Sequence, residues 1–282
     1  MSTVNMLSTL TRIPAAVSAP VARYMSTSTP SKLLAGKVAI VTASTEGIGY
    51  AIAERLAQDG ARVVVSSRKE EKVKKAAAQL ASQGLDVIGA TCHVGKAEDR
   101  ANLIKLAIDK LGGIDILISN AGTNPVMAPV LDTPENAWDK IFETNVKSAF
   151  LLTKEVVPHL EKRGGGSIVY VSSIAAYQPM PVLGAYSVSK TALLGLTRAV
   201  ADQVAPLNIR VNCIAPGIIK TKFSQALWKE PSLEDAILSQ VPLKRLGTPQ
   251  DCAAVVSFLV SENAAYITGE TLPVAGGFFC KL

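Results

Sequence analysis

"KVAIVTASTEGIGYAIAERLAQDGARVVVSSR", residues 37–68, decides the fold. "KVAIVTAS" opens with an unbroken apolar, β-branched run, the signature of a strand covered on both faces. Gly47 and Gly49 interrupt it, "GIGYAIAERLAQDG" follows with helical periodicity and closes at Gly60, and "ARVVVSSR" is a second strand. Strand, helix and strand at this spacing make a parallel pair, because parallel strands need a crossover connection.

The alternation continues to the end of the chain. "EEKVKKAAAQLASQG" is helix, "DVIGATCHV" strand, residues 97–112 helix, "IDILISNAG" strand, and residues 134–162 one or two helices. "GSIVYVSS" is strand, "YSVSKTALLGLTRAVADQVAP" helix, "IRVNCIAPG" strand, residues 249–261 helix and "ETLPVAGG" a last strand. The expected fold is α/β, a single doubly wound Rossmann-type domain with a seven-stranded parallel sheet and helices on both faces. In such sheets ligands bind beyond the carboxyl ends of the strands, where strand order reverses. Residues 218–248, "IIKTKFSQALWKEPSLEDAILSQVPLKRLGT", break the alternation with amphipathic helical stretches and read as a substrate lid.

Composition excludes several classes. Of 282 residues, 48% are hydrophobic and 18% charged, enough to build a large core. The formal charge of +6 owes much to Arg12, Arg23, Lys32 and Lys37, all ahead of the first carboxylate, Glu46. The densest basic run, "SRKEEKVKK", is interleaved with Glu70 and Glu71, so it reads as a solvated helix face and no nucleic acid is expected as partner. Cys92, Cys213, Cys252 and Cys280 form no C-x-x-C, and His93 and His159 are not spaced as ligands, so no metal site is expected. No apolar run reaches the roughly 20 residues of a membrane span.

The two ends carry different addresses. Residues 1–35 hold Arg12, Arg23 and Lys32, many hydroxyl residues and no carboxylate, the composition of a mitochondrial type of leader. They are excluded from the fold, leaving 36–282 as the catalytic domain. Cys280, Lys281 and Leu282 are a conservative variant of the S-K-L tripeptide read by the peroxisomal import receptor. Initiation at Met25 would remove Arg12 and Arg23 and leave the carboxyl-terminal address alone.

Gly47 and Gly49 stand where a strand enters a helix, and missing side chains there let a diphosphate approach backbone N–H groups. Alone, such a turn is as readily only a turn. About 20 residues after these glycines, NAD-preferring folds carry a carboxylate for the ribose 2′-hydroxyl. Here that place holds Ser67 and Arg68. A guanidinium suits a 2′-phosphate, which makes NADP(H) the expected cofactor, although Arg68 could also simply begin a surface helix.

Tyr186 and Lys190 are four apart in a helical stretch, so both face one bound group. A phenol titrates near about 10 and is almost wholly protonated at neutral pH. A lysine cation about 5 Å away, in an effective dielectric near 20, contributes roughly 3 kcal/mol and is expected to lower that value by about two units. Ser173, at the end of "GSIVYVSS", is placed to bind the oxygen that Tyr186 protonates. A packing helix carries a Tyr-x-x-x-Lys by chance often enough; the strand-end serine and the glycine turn are what make this pair chemical.

Taken together, "TASTEGIG" (42–49), "NAG" (120–122), "ETNV" with Asn145, "VSS" ending in Ser173, "YSVSK" and "PGIIKT" (216–221) resemble, in order, the motifs of the short-chain dehydrogenase/reductase family. The resemblance covers about residues 36–278. It implies Asn145, Ser173, Tyr186 and Lys190 as a catalytic tetrad, with Lys190 also on the nicotinamide ribose and Asn145 positioning a relay water. It implies Thr42, Ser44, Thr45, Gly47, Ile48, Gly49, Ser67 and Arg68 along the adenosine and diphosphate. Asn120, Ala121 and Gly122 would line the pocket, with Ile219 and Thr221 at the nicotinamide amide. "VVVSSRK", "CHVGKAEDR", "KRGGGS" and "VSSIAA" look most like the peroxisomal NADPH-dependent carbonyl and retinal reductases of that family. Two residues depart from the pattern: Ala43 replaces the first glycine of the turn, and His93 replaces the aspartate that contacts adenine.

"IAAYQPMPVLGA" and the lid residues Phe223, Leu227 and Trp228 predict an apolar, partly aromatic substrate pocket, although each alone also fits core packing. The expected activity is reduction of hydrophobic or aromatic ketones, dicarbonyls, quinones or retinal. Two alternatives are a 3-oxoacyl-carrier-protein reductase and a non-catalytic NADP(H)-binding scaffold. The apolar helix "TALLGLTRAVADQVA", with the family resemblance, implies a homotetramer.

Overall fold

In the computed structural model, residues 32–278 are described. Strand β1 (Val38–Val41) leads into helix α1 (Gly47–Gln58), then β2 (Arg62–Ser67), α2 (Glu70–Ala81), β3 (Val87–Thr91), α3 (Ala97–Leu111) and β4 (Ile116–Ser119). The second half runs α4 (Glu135–Phe142), α5 (Ser148–Lys162), β5 (Gly166–Val171), α6 (Gly184–Val204) and β6 (Ile209–Pro216). Helices α7 (Gln225–Trp228), α8 (Pro231–Gln240) and α9 (Pro249–Val260) precede β7 (Thr271–Val274). The strands form one seven-stranded sheet in the order β3-β2-β1-β4-β5-β6-β7, and every pairing is parallel. Strand order reverses between β1 and β4, so the crevice of the fold opens there.

Pleating explains why β1 is apolar throughout. Val38 and Ile40 pack on one face with Leu103, Leu152 and Leu193 of α3, α5 and α6. Ala39 and Val41 pack on the other with Ile52 and Leu56 of α1 and Val256 of α9. The folded body reaches further toward the amino terminus than residue 36. Leu34 is 1% exposed and donates its N–H to the Asp59 carbonyl, because its side chain completes the core beside α1.

The stretch 134–162 is one helical run interrupted by a π turn, Glu143–Lys147, that holds Asn145. Such turns recur at functional sites, since the extra residue redirects side chains. Residues 218–248 do form a helical excursion. Its base is pinched where Lys220 donates to the Gly247 carbonyl and Gly247 donates to that of Ile218, while α7 and α8 bury no residue at all. Among the described residues no helix is long and apolar enough to cross a membrane.

Candidate active site

Tyr186 and Lys190 lie in the first two turns of α6, beside the carboxyl end of β5. Residue 184, at the start of α6, has room only for glycine, since a Cβ there would collide with the Val130 backbone. The Lys190 ammonium donates to the Val171 carbonyl at 2.9 Å, and the Ser172 hydroxyl donates to the Lys190 carbonyl at 2.8 Å. These two bonds lock the helix to the strand end. Ser173 hydrogen-bonds the Tyr186 phenol and accepts from Ala175 N–H at 3.1 Å. The sequence placed these three side chains together, and the fold does so.

Their protonation differs from the expectation. Burial pushes the Tyr186 phenol up to about 12, with the Ser173 hydrogen bond pulling the other way. Burial also pushes the Lys190 ammonium down to about 8, opposed by the neighbouring Cys213. The expected lowering of the phenol does not occur among the protein's own groups. The ammonium sits 5.5 Å from the phenol ring centroid and is held by the Val171 carbonyl, while desolvation penalises both charged forms. The Tyr186 phenol therefore keeps its proton at neutral pH.

A cleft of about 660 Å³ runs from the glycine turn to this cluster. Of the residues singled out in the sequence, Gly47, Ile48, Gly49, Asn120 and Gly122 line it, as do Ser173, Tyr186, Lys190, Ile219 and Thr221. Thr221 carries the lid base up to the turn, since a Cβ on Gly47 would lie 3.5 Å from its methyl group. Gly49 has no room for any side chain: a Cβ would meet Asn120 Nδ2 at 2.4 Å and the Ala43 carbonyl at 2.5 Å.

Other residues are placed differently. Thr42 and Ser44, expected along the cofactor, are fully buried and turn their hydroxyls into the sheet. Thr42 Oγ1 accepts from Asn120 N–H at 2.9 Å, and Ser44 Oγ donates to the Val41 carbonyl at 2.7 Å and accepts from Ser66 N–H. They shape the turn from beneath. Ala121 donates its N–H to Thr42 Oγ1 at 3.1 Å, and Thr45 and Ser67 are half-buried. Because the turn is bonded to the end of β2, Arg68 leaves the sheet next to it, exposed and without a hydrogen-bond or ion-pair partner among the described residues. Ala43 adopts φ 49°, the left-handed conformation a glycine takes freely. The His93 ring is tied back locally, its Nδ1 accepting from Gly95 N–H at 3.2 Å.

Asn145 is 1% exposed. Its Oδ1 accepts from Thr123 N–H at 2.8 Å, and its Nδ2 donates to the Thr123 carbonyl at 3.1 Å and to Ser189 Oγ at 3.0 Å. Every polar atom of the amide is engaged by the protein, which no sequence signal revealed. Met127, Met180 and Leu183 also line the cleft, and Phe223 tilts over Tyr186 with ring centroids 6.1 Å apart. Trp228, expected in the pocket wall, does not line the cleft itself: its indole N–H donates to Ser224 and Lys220 lies over its ring, and those two residues stand between it and the cleft wall they line. Glu46, at the cleft mouth, pairs with Lys72 at 3.1 Å and Lys222 at 3.8 Å.

A doubly wound sheet whose glycine turn and strand-end Ser, Tyr and Lys share one cleft defines a nicotinamide-dependent oxidoreductase. The chain belongs to the short-chain dehydrogenase/reductase family. A family model described as Enoyl-(Acyl carrier protein) reductase matches residues 42–279. Dehydrogenase/reductase SDR family member 4 of Bos taurus is 60% identical, covering 88% of this chain and 89% of its own length. Dehydrogenase/reductase SDR family member 2, mitochondrial, of Homo sapiens is 52% identical over 86% of this chain and 87% of its own. Among solved structures, a 7 alpha-hydroxysteroid dehydrogenase complexed with NADH and 7-oxo glycochenodeoxycholic acid superposes with a TM-score of 0.84 at 36% identity, covering 89% of this chain and 98% of that one.

Proposed function

We propose that the chain is an NADPH-dependent reductase of hydrophobic or aromatic ketones, dicarbonyls, quinones or retinal, and in reverse oxidises the alcohols. The observation that carries this reading is the convergence of Ser173, Tyr186 and Lys190 on one wall of an otherwise largely apolar cleft. The likeness to member 4 of the family supports it.

The residues fit a nicotinamide dinucleotide. Glu46 makes no side-chain cap at the start of α1, so the first N–H groups of that helix remain available to a diphosphate. The exposed Arg68 guanidinium, with no partner of its own, suits a 2′-phosphate. Gly122 keeps the backbone bare beside Lys190, where a Cβ would come within 3.3 Å of the ammonium, and Lys190 would bind the ribose from there. Ile219 and Thr221 would hold the nicotinamide amide. When bound, the reduced nicotinamide supplies a hydride to the carbonyl carbon.

The chain's own groups do the rest. Ser173 donates to the carbonyl oxygen, and Tyr186 delivers its phenolic proton to the same atom as negative charge develops. Lys190 stabilises that charge and the phenolate left behind. With its side chain wholly engaged, Asn145 serves the proton supply through position. Phe223, Leu227 and Met180 enclose the apolar part of the substrate.

The test is NADPH oxidation by the purified chain against a carbonyl panel. Turnover of aromatic diketones or quinones supports the reading. Preference for acetoacetyl thioester points instead to a 3-oxoacyl-carrier-protein reductase. Binding of NADPH without turnover of any carbonyl leaves a scaffold, and turnover confined to small polar sugars contradicts the apolar pocket.

A homotetramer is the proposed assembly, supported by apolar residues left exposed on α5 and α6, Phe150 at 47% and Val188 at 42%. The proposed location is the peroxisome, through Cys280, Lys281 and Leu282 and the import receptor, with the mitochondrion as alternative through the basic leader. Both signals lie wholly or mostly outside the described residues.

A further inference from the structure

Ser189 lies between the catalytic tyrosine and lysine in sequence and takes no direct part in the chemistry described above. It is fully buried, and its hydroxyl makes two bonds. It donates to the Tyr186 main-chain carbonyl at 2.7 Å and accepts from Asn145 Nδ2 at 3.0 Å. The same amide grips both the N–H and the carbonyl of Thr123. Thr123 lies between Gly122 and Asn124, which line the cleft. A continuous chain of hydrogen bonds thus joins the wall of the cleft at 122–124, the π turn of Asn145 and the first turn of the helix that carries the proton donor.

We infer that Ser189 is a positioning residue: through Asn145 it makes the cleft wall at Thr123 and the main chain of Tyr186 a single rigid unit. The inference rests on the reductase reading for its effect on turnover and on geometry alone for its effect on the wall. Removing the hydroxyl frees one Nδ2 proton of Asn145 and uncouples the grip on Thr123 from helix α6. Misplacement of a donor by about 1 Å can cost up to about a hundredfold in rate. The glycine turn that meets the diphosphate is not in this chain of bonds, so any loss of NADPH affinity is confined to the wall at Gly122 and stays small.

The experiment compares wild type, Ser189→Ala, Asn145→Ala and the double variant by steady-state kinetics, NADPH titration and amide hydrogen exchange. For Ser189→Ala, kcat is expected to fall about tenfold and substrate KM to rise, with NADPH Kd within about twofold. Exchange of residues 121–128 should quicken while that of β1 and α1 stays as in wild type. The double variant should lose no more than Asn145→Ala alone, because both act through one link. Ser189→Cys, similar in volume and a weak donor, serves if the alanine variant does not fold, with losses in the same direction. Unchanged exchange at 121–128, exchange that quickens equally throughout, or losses that multiply in the double variant would overturn the inference. Absence of turnover in wild type would sink the reductase reading, while the exchange measurement still decides the coupling.

Discussion

Helix α6 buries Tyr186, Ser189 and Lys190 and is bonded to β5 by both the side chain and the main chain of Lys190, whereas the lid helices α7 and α8 bury nothing. The floor of the cleft is over-determined, and its cover is held at a pinched base and by Ile219, Val241 and Leu246. Proton transfer tolerates little displacement, so its groups belong on rigid elements. Substrate recognition by an apolar cover tolerates more, since contact area is not directional. The comparison therefore expects floor substitutions to change kcat and lid substitutions to change selectivity.

Tyr186→Phe tests the floor most severely. Loss of the general acid should lower kcat by about 10²–10⁴-fold or more, with NADPH binding by fluorescence titration unchanged. The pH profile comes next. With Tyr186 raised to about 12, the donor stays protonated through the neutral range, and Lys190 loses its proton as pH rises through about 8. Reductive kcat should be level below about 8 and decline above it. The same depressed lysine makes the unfolded chain bind more protons between about 8 and its ordinary 10.5, so this group's contribution to stability rises across that window. A kcat that climbs above pH 8 would contradict the assignment of the ammonium as the working form.

Arg68→Ala should raise the KM for NADPH about tenfold or more, by loss of a charge-assisted contact of about 1.5–3 kcal/mol, and leave that for NADH unchanged. Within the lid, Phe223→Ala should lower kcat/KM for bulky aromatic substrates about fivefold through lost apolar contact, with small ketones and melting temperature little affected. Trp228→Ala should not reproduce that selectivity, because Phe223 lines the cleft and the indole does not. Equal effects of the two would erase the distinction within the lid. The smallest effect is expected at the turn. Ala43→Gly removes a methyl group held at φ 49° and should stabilise the fold by about 1 kcal/mol in denaturant titration, with turnover retained.

Much of this was legible in the chain. Apolar β-branched runs alternating with helical periodicity marked all seven strands; the five inner ones are buried on both faces and can carry little else, while the edge strands β3 and β7 are only partly covered. Ala43 was recognisable as the odd residue of its turn, and its positive φ follows from the same geometry that favours glycine there. Thr42 and Ser44 were misplaced because a hydroxyl in a turn reads identically whether it faces a ligand or the carbonyl beneath it. Trp228 was misplaced for a related reason: helical spacing puts it near Phe223 and Leu227 but does not say which way a four-residue helix faces.

Local sequence determined the alternation of elements, the residues at the strand ends and the i, i+4 pairing of Tyr186 with Lys190, since each follows from spacing along one segment. Only the tertiary structure decided how those groups behave. Burial, not the charge of a neighbour, sets the protonation of Tyr186, and the bonds that engage Asn145 join Thr123, the π turn and Ser189 from three separate stretches. Desolvation and long-range hydrogen bonding depend on what the rest of the chain packs around a residue, and no short window of sequence contains that information.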